Sequence, residues 1–132
     1  MAKVPARPKG QDQKVAVLRR GEIYLCSLDP TVGHEINKTR PALVIQNDVG
    51  NRYSPLTIVA AITSSVSAVP YPVEVVVDPV AITGLEVRSS IRLDQIRTVD
   101  RQRLVRRLGA VDSGTMAKVD EAIKISLGLI RI

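Results

Sequence analysis

Residues 56–62 read LTIVAAI, and residues 42–46 read ALVIQ. Apolar side chains occupy consecutive positions in both runs, at 58–62 and again at 43–45. Successive side chains of a strand point to opposite faces of its sheet, so these runs indicate strands that are covered on both sides. They predict a closed or well-covered sheet, and a small barrel would satisfy that requirement.

Similar runs extend this pattern in both directions along the chain. They are rich in Val and Ile and are separated by Pro, Gly, Asn, Asp and Ser, which is typical of strands. The further predicted strands are 23–28, 73–77 and 91–99. Asp100 is expected to cap one helical turn at 101–104 through its carboxylate, and a strand over 105–108 could follow.

The C-terminal segment predicts the clearest helix, which Asp112 or Ser113 can cap. Its apolar residues recur at spacings of three and four, which predicts one buried face. These residues are Met116, Val119, Ile123, Leu127 and Ile130. The segment stays apolar through 129–132, so we expect it to dock on the sheet or on a second subunit. The predicted fold class is mainly β with a C-terminal α-helix.

With 132 residues the chain has room for one domain. We expect residues 1–18, which contain three prolines or glycines among scattered lysines, to form a flexible basic arm, and residues 19–132 to fold. The longest uncharged stretch, 54–73, is broken by prolines, and no secretory signal is evident. Cys26 is the only cysteine, which excludes an intrachain disulfide. We expect a cytoplasmic protein that does not enter a membrane.

The net charge of +6 is unevenly distributed along the chain. Residues 1–20 carry +5, residues 21–87 carry −4, and residues 88–107 carry +5 from seven arginines and two aspartates. Segregated positive charge indicates a phosphate-binding surface. A solvated positive face without any ligand is an equally good interpretation of charge alone.

Few residues of this chain are suited to catalysis. The sequence has no HExxH, GxSxG or glycine-rich phosphate motif, and His34 is its only histidine. Arginine and hydroxyl groups remain, which stabilise charge on phosphate. Cleavage of RNA requires few other groups from the protein, because the RNA's own 2′-hydroxyl can attack the adjacent phosphate once it is positioned. We therefore expect neither a metal nor another cofactor.

Several blocks, in this order, resemble the MazF/PemK toxins over residues 19–131. They are RGEIY (20–24), LDPTVG (28–33), TRPALVIQND (39–48), IVAAIT (58–63), QIRTVD (95–100), KVDEA (118–122) and ISL (125–127). The resemblance implies an SH3-like barrel with a C-terminal helix that forms a homodimer. It also implies a metal-independent, sequence-specific endoribonuclease that cuts single-stranded RNA and is inhibited by an acidic, MazE-like antitoxin.

The resemblance also implies roles for individual residues. The family's catalytic arginine and threonine fall on Arg40 and Thr63. Arg40 would neutralise the scissile phosphate and Thr63 would orient it. RNA contacts are expected from His34, Glu35, Lys38, Ser64, Ser89 and Gln95. Arg97 is either part of this surface or one member of a salt bridge within the sheet, and the sequence favours neither.

The loop before Arg40 departs from the family. Related chains often carry a small glycine-rich loop there, whereas residues 33–39 read GHEINKT in this chain. Loops of this kind shape which bases fit, so the recognised RNA sequence cannot be inherited from relatives. Two other functions stay open: a toxin of the same fold that poisons a topoisomerase, and a noncatalytic RNA-binding barrel that uses the basic strip 88–107.

Overall fold

The computed structural model describes residues 17–131 and confirms a mainly β fold with a C-terminal helix. Most of the predicted arm, residues 1–16, lies outside the described residues, and of its last two residues Leu18 is buried. The elements are β1 (Glu22–Ser27), β2 (Thr39–Val44), α1 (Asp48–Tyr53), β3 (Leu56–Thr63), β4 (Glu74–Val77), β5 (Ser89–Asp100), a 3₁₀ turn (Arg101–Arg103), β6 (Leu104–Ala110) and α2 (Ser113–Ser126).

The six strands form one antiparallel sheet in the order β4-β5-β3-β2-β1-β6. Residues 78–88, which connect β4 to β5, run against the outer edge of β6. The backbone N–H of Ala110 donates to the carbonyl oxygen of Ile82 at 2.9 Å. Gly84 has a φ of +68°, and a Cβ there would collide with the backbone of Leu108. The connection therefore covers this edge, as a well-covered sheet requires.

Both faces of the sheet are buried, as the runs of consecutive apolar residues predict. On β1, Ile23 belongs to one core and its neighbour Tyr24 to the other. The core around Tyr24 also takes Leu18 from the segment before β1. The other core contains Val119 and Ala122, which are the buried residues of α2. The segment before β1 thus packs on one face of the sheet, and α2 packs on the other.

Helix α2 begins where the sequence predicts it. The Asp112 carboxylate accepts a hydrogen bond from the Thr115 N–H at 2.7 Å, and this bond holds the pKa of Asp112 below its ordinary value. The prediction that Leu127 and Ile130 extend the buried helical face is wrong. The helix ends at Ser126, because Gly128 adopts a φ of +74° and turns the chain. Both apolar side chains lie after the last helical residue and are exposed.

Two further elements differ from expectation. Residues 48–53 form α1, whose first turn is capped by the Asn47 side chain accepting from the Gly50 N–H at 2.8 Å. Strand β2 begins at Thr39, three residues before the predicted start, so Arg40 lies inside a strand.

Within residues 17–131, no helix combines the length and hydrophobicity that crossing a bilayer would need.

Candidate active site

Arg40 and Thr63 occupy matching positions at one end of the sheet. The ladder between β2 and β3 pairs Ala42 with Ala61, and this register, continued by two residues on each strand, sets Arg40 opposite Thr63. Residues two apart on a strand share a face, so both belong to the face of Ala42 and Ala61. The ladder ends at Ala42 and Ala61, so Arg40 and Thr63 lie just beyond its last pair.

Local contacts leave both side chains with unused hydrogen-bonding groups. Pro41 disfavours helix at Arg40, and the Arg40 Nε donates to the Asn37 carbonyl oxygen at 3.2 Å. Its terminal nitrogens have no partner among residues 17–131. The Thr63 hydroxyl oxygen accepts from the Ser65 N–H at 3.2 Å, and within the same part of the chain it donates to no acceptor. The guanidinium and the hydroxyl are therefore available to a phosphate.

A cavity of about 390 Å³ adjoins this end of the sheet, and we call it the catalytic cavity. It brings together three residues predicted from the sequence: Arg40, Ser64 and Ser89. Ser64 is exposed, whereas Ser89 is buried and its hydroxyl donates to the Val87 carbonyl at 2.9 Å. The other lining residues are Leu25, Pro41, Ile62, Gly84, Leu85, Glu86, Val87, Arg106 and Leu108. Thr63 precedes Ser64 but does not line the cavity itself.

Three more of the predicted RNA-binding residues, His34, Glu35 and Gln95, line a second cavity of about 410 Å³, which we call the loop cavity, and Lys38 lies on the same loop but does not line it. Its walls are Val32, His34, Glu35, Ile36, Ala61, Asp94, Gln95, Ile96 and Arg97. The Gln95 amide donates to the His34 carbonyl at 3.3 Å and accepts from the Ile36 N–H at 3.2 Å. Gln95 therefore fastens the loop 29–38 to the sheet, whereas the sequence predicted only an RNA contact for it.

A bulge in β5 directs Gln95 at this loop. Ala60 pairs with Ile96 and Ile62 pairs with Ile91, so residues 92–95 of β5 stand opposite Ala61 alone. Bulges of this kind bend a strand and re-aim its side chains. The same strand brings Arg97 to the Leu28 carbonyl, to which it donates at 2.6 Å. Of the two interpretations left open for Arg97, the salt bridge is not seen with any described carboxylate.

The loop is further fixed by its own backbone contacts. The Glu35 carboxylate accepts from the Val32 N–H at 2.6 Å, and the Leu28 N–H donates to the Lys38 carbonyl at 2.8 Å. Lys38 adopts a φ of +66°, a conformation that costs a non-glycine residue about 1 kcal/mol and is often found at functional sites. The side chains of His34 and Lys38 are exposed. A bound strand could reach both.

Most arginines of the basic strip 88–107, six of the seven, contact acceptors of the chain itself. Their acceptors are the carboxylates of Asp78 for Arg88, Asp94 for Arg92 and Glu22 for Arg107, and the backbone carbonyls of Leu28 for Arg97, Asn51 for Arg101, and Ser27 and Asp29 for Arg103. Only Arg106 lacks such a partner among the described residues.

Sequence reasoning missed a buried carboxylate, that of Glu74, close to Thr63. The Glu74 side chain is 2% exposed and accepts from the hydroxyls of Ser67 at 3.0 Å and Ser90 at 3.4 Å. Ser90 is the ladder partner of Thr63. Glu74 therefore ties the segment after Thr63 to the neighbouring strand. A glutamate that begins a valine-rich strand gives no sequence signal for this role.

Cys26 stands opposite Arg40 in the β1–β2 ladder but is not suited to act as a nucleophile. Burial raises the pKa of its thiol to about 11, although Arg97 and Arg103 lower it in part, so the thiol stays protonated near neutral pH. Within residues 17–131, no three His, Cys, Asp or Glu side chains gather in a way that could hold a metal ion.

Fold and site together define a small mainly β protein with a C-terminal helix and a cavity lined by two arginines and two serines. Residues 19–127 match the family of PemK-like, MazF-like toxins of type II toxin-antitoxin systems. The chain therefore belongs to this family. It is 48% identical over 114 residues to "Endoribonuclease EndoA" of Bacillus subtilis, covering 86% of this chain and 97% of that one. It is 43% identical to "Endoribonuclease MazF" of Staphylococcus epidermidis, with 86% and 93% covered.

Solved structures agree with this assignment and confirm the fold class. A crystal structure of MazF from Deinococcus radiodurans superposes with a TM-score of 0.71 at 28% identity, covering 85% of this chain and 97% of that one. The toxin MazF-mt6 of Mycobacterium tuberculosis gives a TM-score of 0.69 at 27% identity, with 83% and 99% covered. A MazE-MazF structure from Deinococcus radiodurans matches with a TM-score of 0.67 at 27% identity, with 86% and 98% covered.

Proposed function

We propose that this chain cleaves single-stranded messenger RNA at specific sequences, without a metal ion, through Arg40 and Thr63. As a PemK-like, MazF-like protein it is an endoribonuclease toxin of a toxin-antitoxin system, and the proposal adds the substrate, the chemistry and the residues. The observation that carries the proposal is the β2–β3 register, which brings Arg40 and Thr63 to neighbouring strand ends just beyond the last pair of the ladder, with Arg40 lining the adjoining cavity. Both side chains keep unused hydrogen-bonding groups there.

In the proposed reaction the 2′-oxygen of the RNA attacks the adjacent phosphorus, and the bond from phosphorus to the 5′-oxygen breaks. The products carry a 2′,3′-cyclic phosphate and a 5′-hydroxyl. The guanidinium of Arg40 neutralises the charge that builds on the phosphate and gives a proton to the departing 5′-oxygen. The 2′-hydroxyl loses its proton to water, and solvent reprotonates Arg40. Thr63 donates a hydrogen bond that orients the phosphate.

Sequence preference is assigned to the loop cavity. Its loop is fastened at both ends and at Gln95, so it presents a fixed wall to the bases of an unpaired strand. His34, Glu35 and Lys38 belong to this loop and Gln95 faces it from β5, whereas Ser64 and Ser89 line the catalytic cavity. These six residues form the proposed RNA contact, with the cytoplasm as the expected site of action.

The protein is further proposed to act as a homodimer that an acidic antitoxin inhibits. Leu127, Leu129 and Ile130 are exposed beyond α2, and apolar side chains grouped in this way favour an interface. A MazE-like antitoxin would cover the RNA-binding surface with an acidic, partly disordered segment. Sedimentation equilibrium at micromolar concentration should give twice the chain mass of 14.4 kDa. RNA and an antitoxin peptide should compete for binding.

Cleavage mapping distinguishes the proposed function from its two alternatives. Primer extension on a mixed RNA pool, with EDTA present, should show cuts at one recurring sequence. Intact RNA that is bound with a steep salt dependence would instead support a noncatalytic barrel that uses the basic strip. Intact RNA combined with inhibition of a topoisomerase would support a toxin that acts on protein.

A further inference from the structure

Arg106 differs from every other arginine of the strip 88–107. It is exposed on β6, where it pairs with Leu25 of β1, and residues 17–131 offer it neither a hydrogen bond nor an ion pair. Its six companions are all held by carboxylates or backbone carbonyls, as described above. Arg106 is therefore the arginine of this strip that remains available to an external anion.

The position of Arg106 places it at the site of the proposed chemistry. Arg106 and Arg40 line the same cavity, together with the hydroxyl-bearing Ser64 and Ser89. Glu86 is the one carboxylate among the lining residues, so the lining carries two positive charges and one negative charge. Two guanidinium groups at one cavity repel each other unless an anion lies between or beside them. Their planar donor forks match the oxygens of a phosphate.

The size of the cavity allows more than the scissile phosphate to bind. Its volume of about 390 Å³ lies within the range of roughly 300–1,000 Å³ that is usual for ligand pockets. Arg40 enters from β2, whereas Arg106 enters from β6, with β1 between these strands in the sheet. The two arginines therefore reach the cavity from strands that are not neighbours in the sheet.

We propose that Arg106 binds a phosphate of the RNA next to the scissile phosphate and thereby supplies binding energy rather than chemistry. This inference rests on the proposed function, because it takes Arg40 as the group at the scissile phosphate. Arg106 anchors the strand and Arg40 stabilises the charge that develops during cleavage. Glu86, at the same cavity, opposes the bound strand through its negative charge.

The test compares Arg106→Ala with Lys118→Ala. Lys118 is exposed on α2 and lines neither cavity, so its removal takes away one positive charge without touching the site. Binding of an RNA with 2′-deoxyribose at the scissile position is measured by fluorescence anisotropy over a salt series. Loss of one phosphate contact should lower the slope of log K against log salt by about 0.7 in Arg106→Ala, and Lys118→Ala should keep the original slope.

Kinetics and a modified substrate sharpen this comparison. Arg106→Ala should raise KM several-fold and leave kcat at saturating RNA unchanged, as expected when binding is lost equally from substrate and transition state. Replacing single phosphates with neutral methylphosphonates should weaken binding of the original protein at the phosphate beside the scissile one. In Arg106→Ala, replacement of this one phosphate should no longer weaken binding, whereas replacements elsewhere should weaken it as before. Glu86→Gln should change affinity in the opposite direction and tighten binding.

Three results would overturn the inference. The slope could fall equally in Arg106→Ala and Lys118→Ala, the methylphosphonate profile could stay the same in the variant, or kcat could fall at unchanged KM. Arg106→Gln, which keeps a long polar side chain, serves as a second variant if the alanine form unfolds at lower temperature. Cleavage of RNA by the original protein tests the proposed function, and the comparison of variants tests the role of Arg106. If that protein cut RNA and the variants matched it, only the role of Arg106 would be lost.

Discussion

The catalytic cavity and the loop cavity use their polar groups differently. In the catalytic cavity, Arg40 spends only its Nε on the Asn37 carbonyl, and Arg106 has no partner among the described residues. In the loop cavity, the Gln95 amide and the Glu35 carboxylate are both occupied by backbone groups of the loop itself. The arginines of the catalytic cavity therefore keep unpaired N–H groups within the described part of the chain, whereas the polar side chains of the loop cavity fix the conformation of the loop.

This difference predicts that the catalytic cavity determines the rate of cleavage and that the loop cavity determines which RNA sequence binds. Groups that remain available can bind charge as it develops on a phosphate, so their removal should lower the rate of cleavage. Groups that hold the loop act through the shape that the loop presents to bases, so their removal should change affinity and sequence preference. Variants in each cavity test whether this separation is real.

The largest effect is expected from Arg40→Ala. Loss of the proposed charge stabiliser should lower the single-turnover rate about 10²-fold or more, by analogy with the loss of an oxyanion donor. Arg40→Lys, which keeps the charge but not the planar fork, should recover part of the rate. Single-turnover cleavage at saturating RNA measures both variants, and full activity in Arg40→Ala would refute the assignment.

Thr63→Ala should have a smaller but clear effect. One hydrogen bond to a charged group is worth about 1.5–3 kcal/mol, so a rate loss of about tenfold is expected at its lower limit. Thr63→Ser keeps the hydroxyl and should retain most of the rate, whereas Thr63→Val keeps the shape and should behave like alanine. Equal rates for the serine and valine variants would show that the hydroxyl is not used.

Gln95 variants examine the loop cavity. Gln95→Glu can still accept from the Ile36 N–H but cannot donate to the His34 carbonyl, and Gln95→Leu loses both bonds. Each bond contributes about 1 kcal/mol, so RNA binding should weaken by a few-fold in the first variant and further in the second. The rate at saturating RNA should stay unchanged. A rate loss without weaker binding would place Gln95 among the catalytic groups.

The smallest effect on rate is expected from His34→Ala. His34 is exposed on the loop, and only its backbone carbonyl is engaged. Its removal should alter binding or the distribution of cut sites in a mixed RNA pool. The rate loss at saturating RNA should be far below the roughly 10²–10⁴-fold that removal of a general acid or base causes. A near-complete loss would instead assign proton transfer to His34.

The strands and the C-terminal helix could be predicted because the chain signals them locally. Apolar runs on both faces define β2 and β3, and the Asp112 carboxylate marks the start of α2. The short helix α1 was missed because six residues carry too little periodicity to stand out. The end of α2 was misplaced because Gly128 turns the chain while the apolar spacing continues past it.

The site was less predictable, because its partners are distant in sequence. The family resemblance supplied Arg40 and Thr63, and the register supplied their opposition. Gln95 holds the loop because a bulge opposite Ala61 directs its side chain there. Arg106 stands out only once the partners of the other six arginines of the strip are known. Charge counted along the chain shows neither of these features, since it does not reveal which cations are already paired.

A substrate with a single 2′-deoxyribose tests the central claim most directly. An RNA that contains one mapped cleavage site is compared with the same strand lacking only the 2′-hydroxyl at the scissile nucleotide, with EDTA present in both reactions. The account predicts that the RNA is cut to a 2′,3′-cyclic phosphate and a 5′-hydroxyl, while the deoxy strand binds with similar affinity and stays intact. Cleavage of the deoxy strand at that position would contradict it.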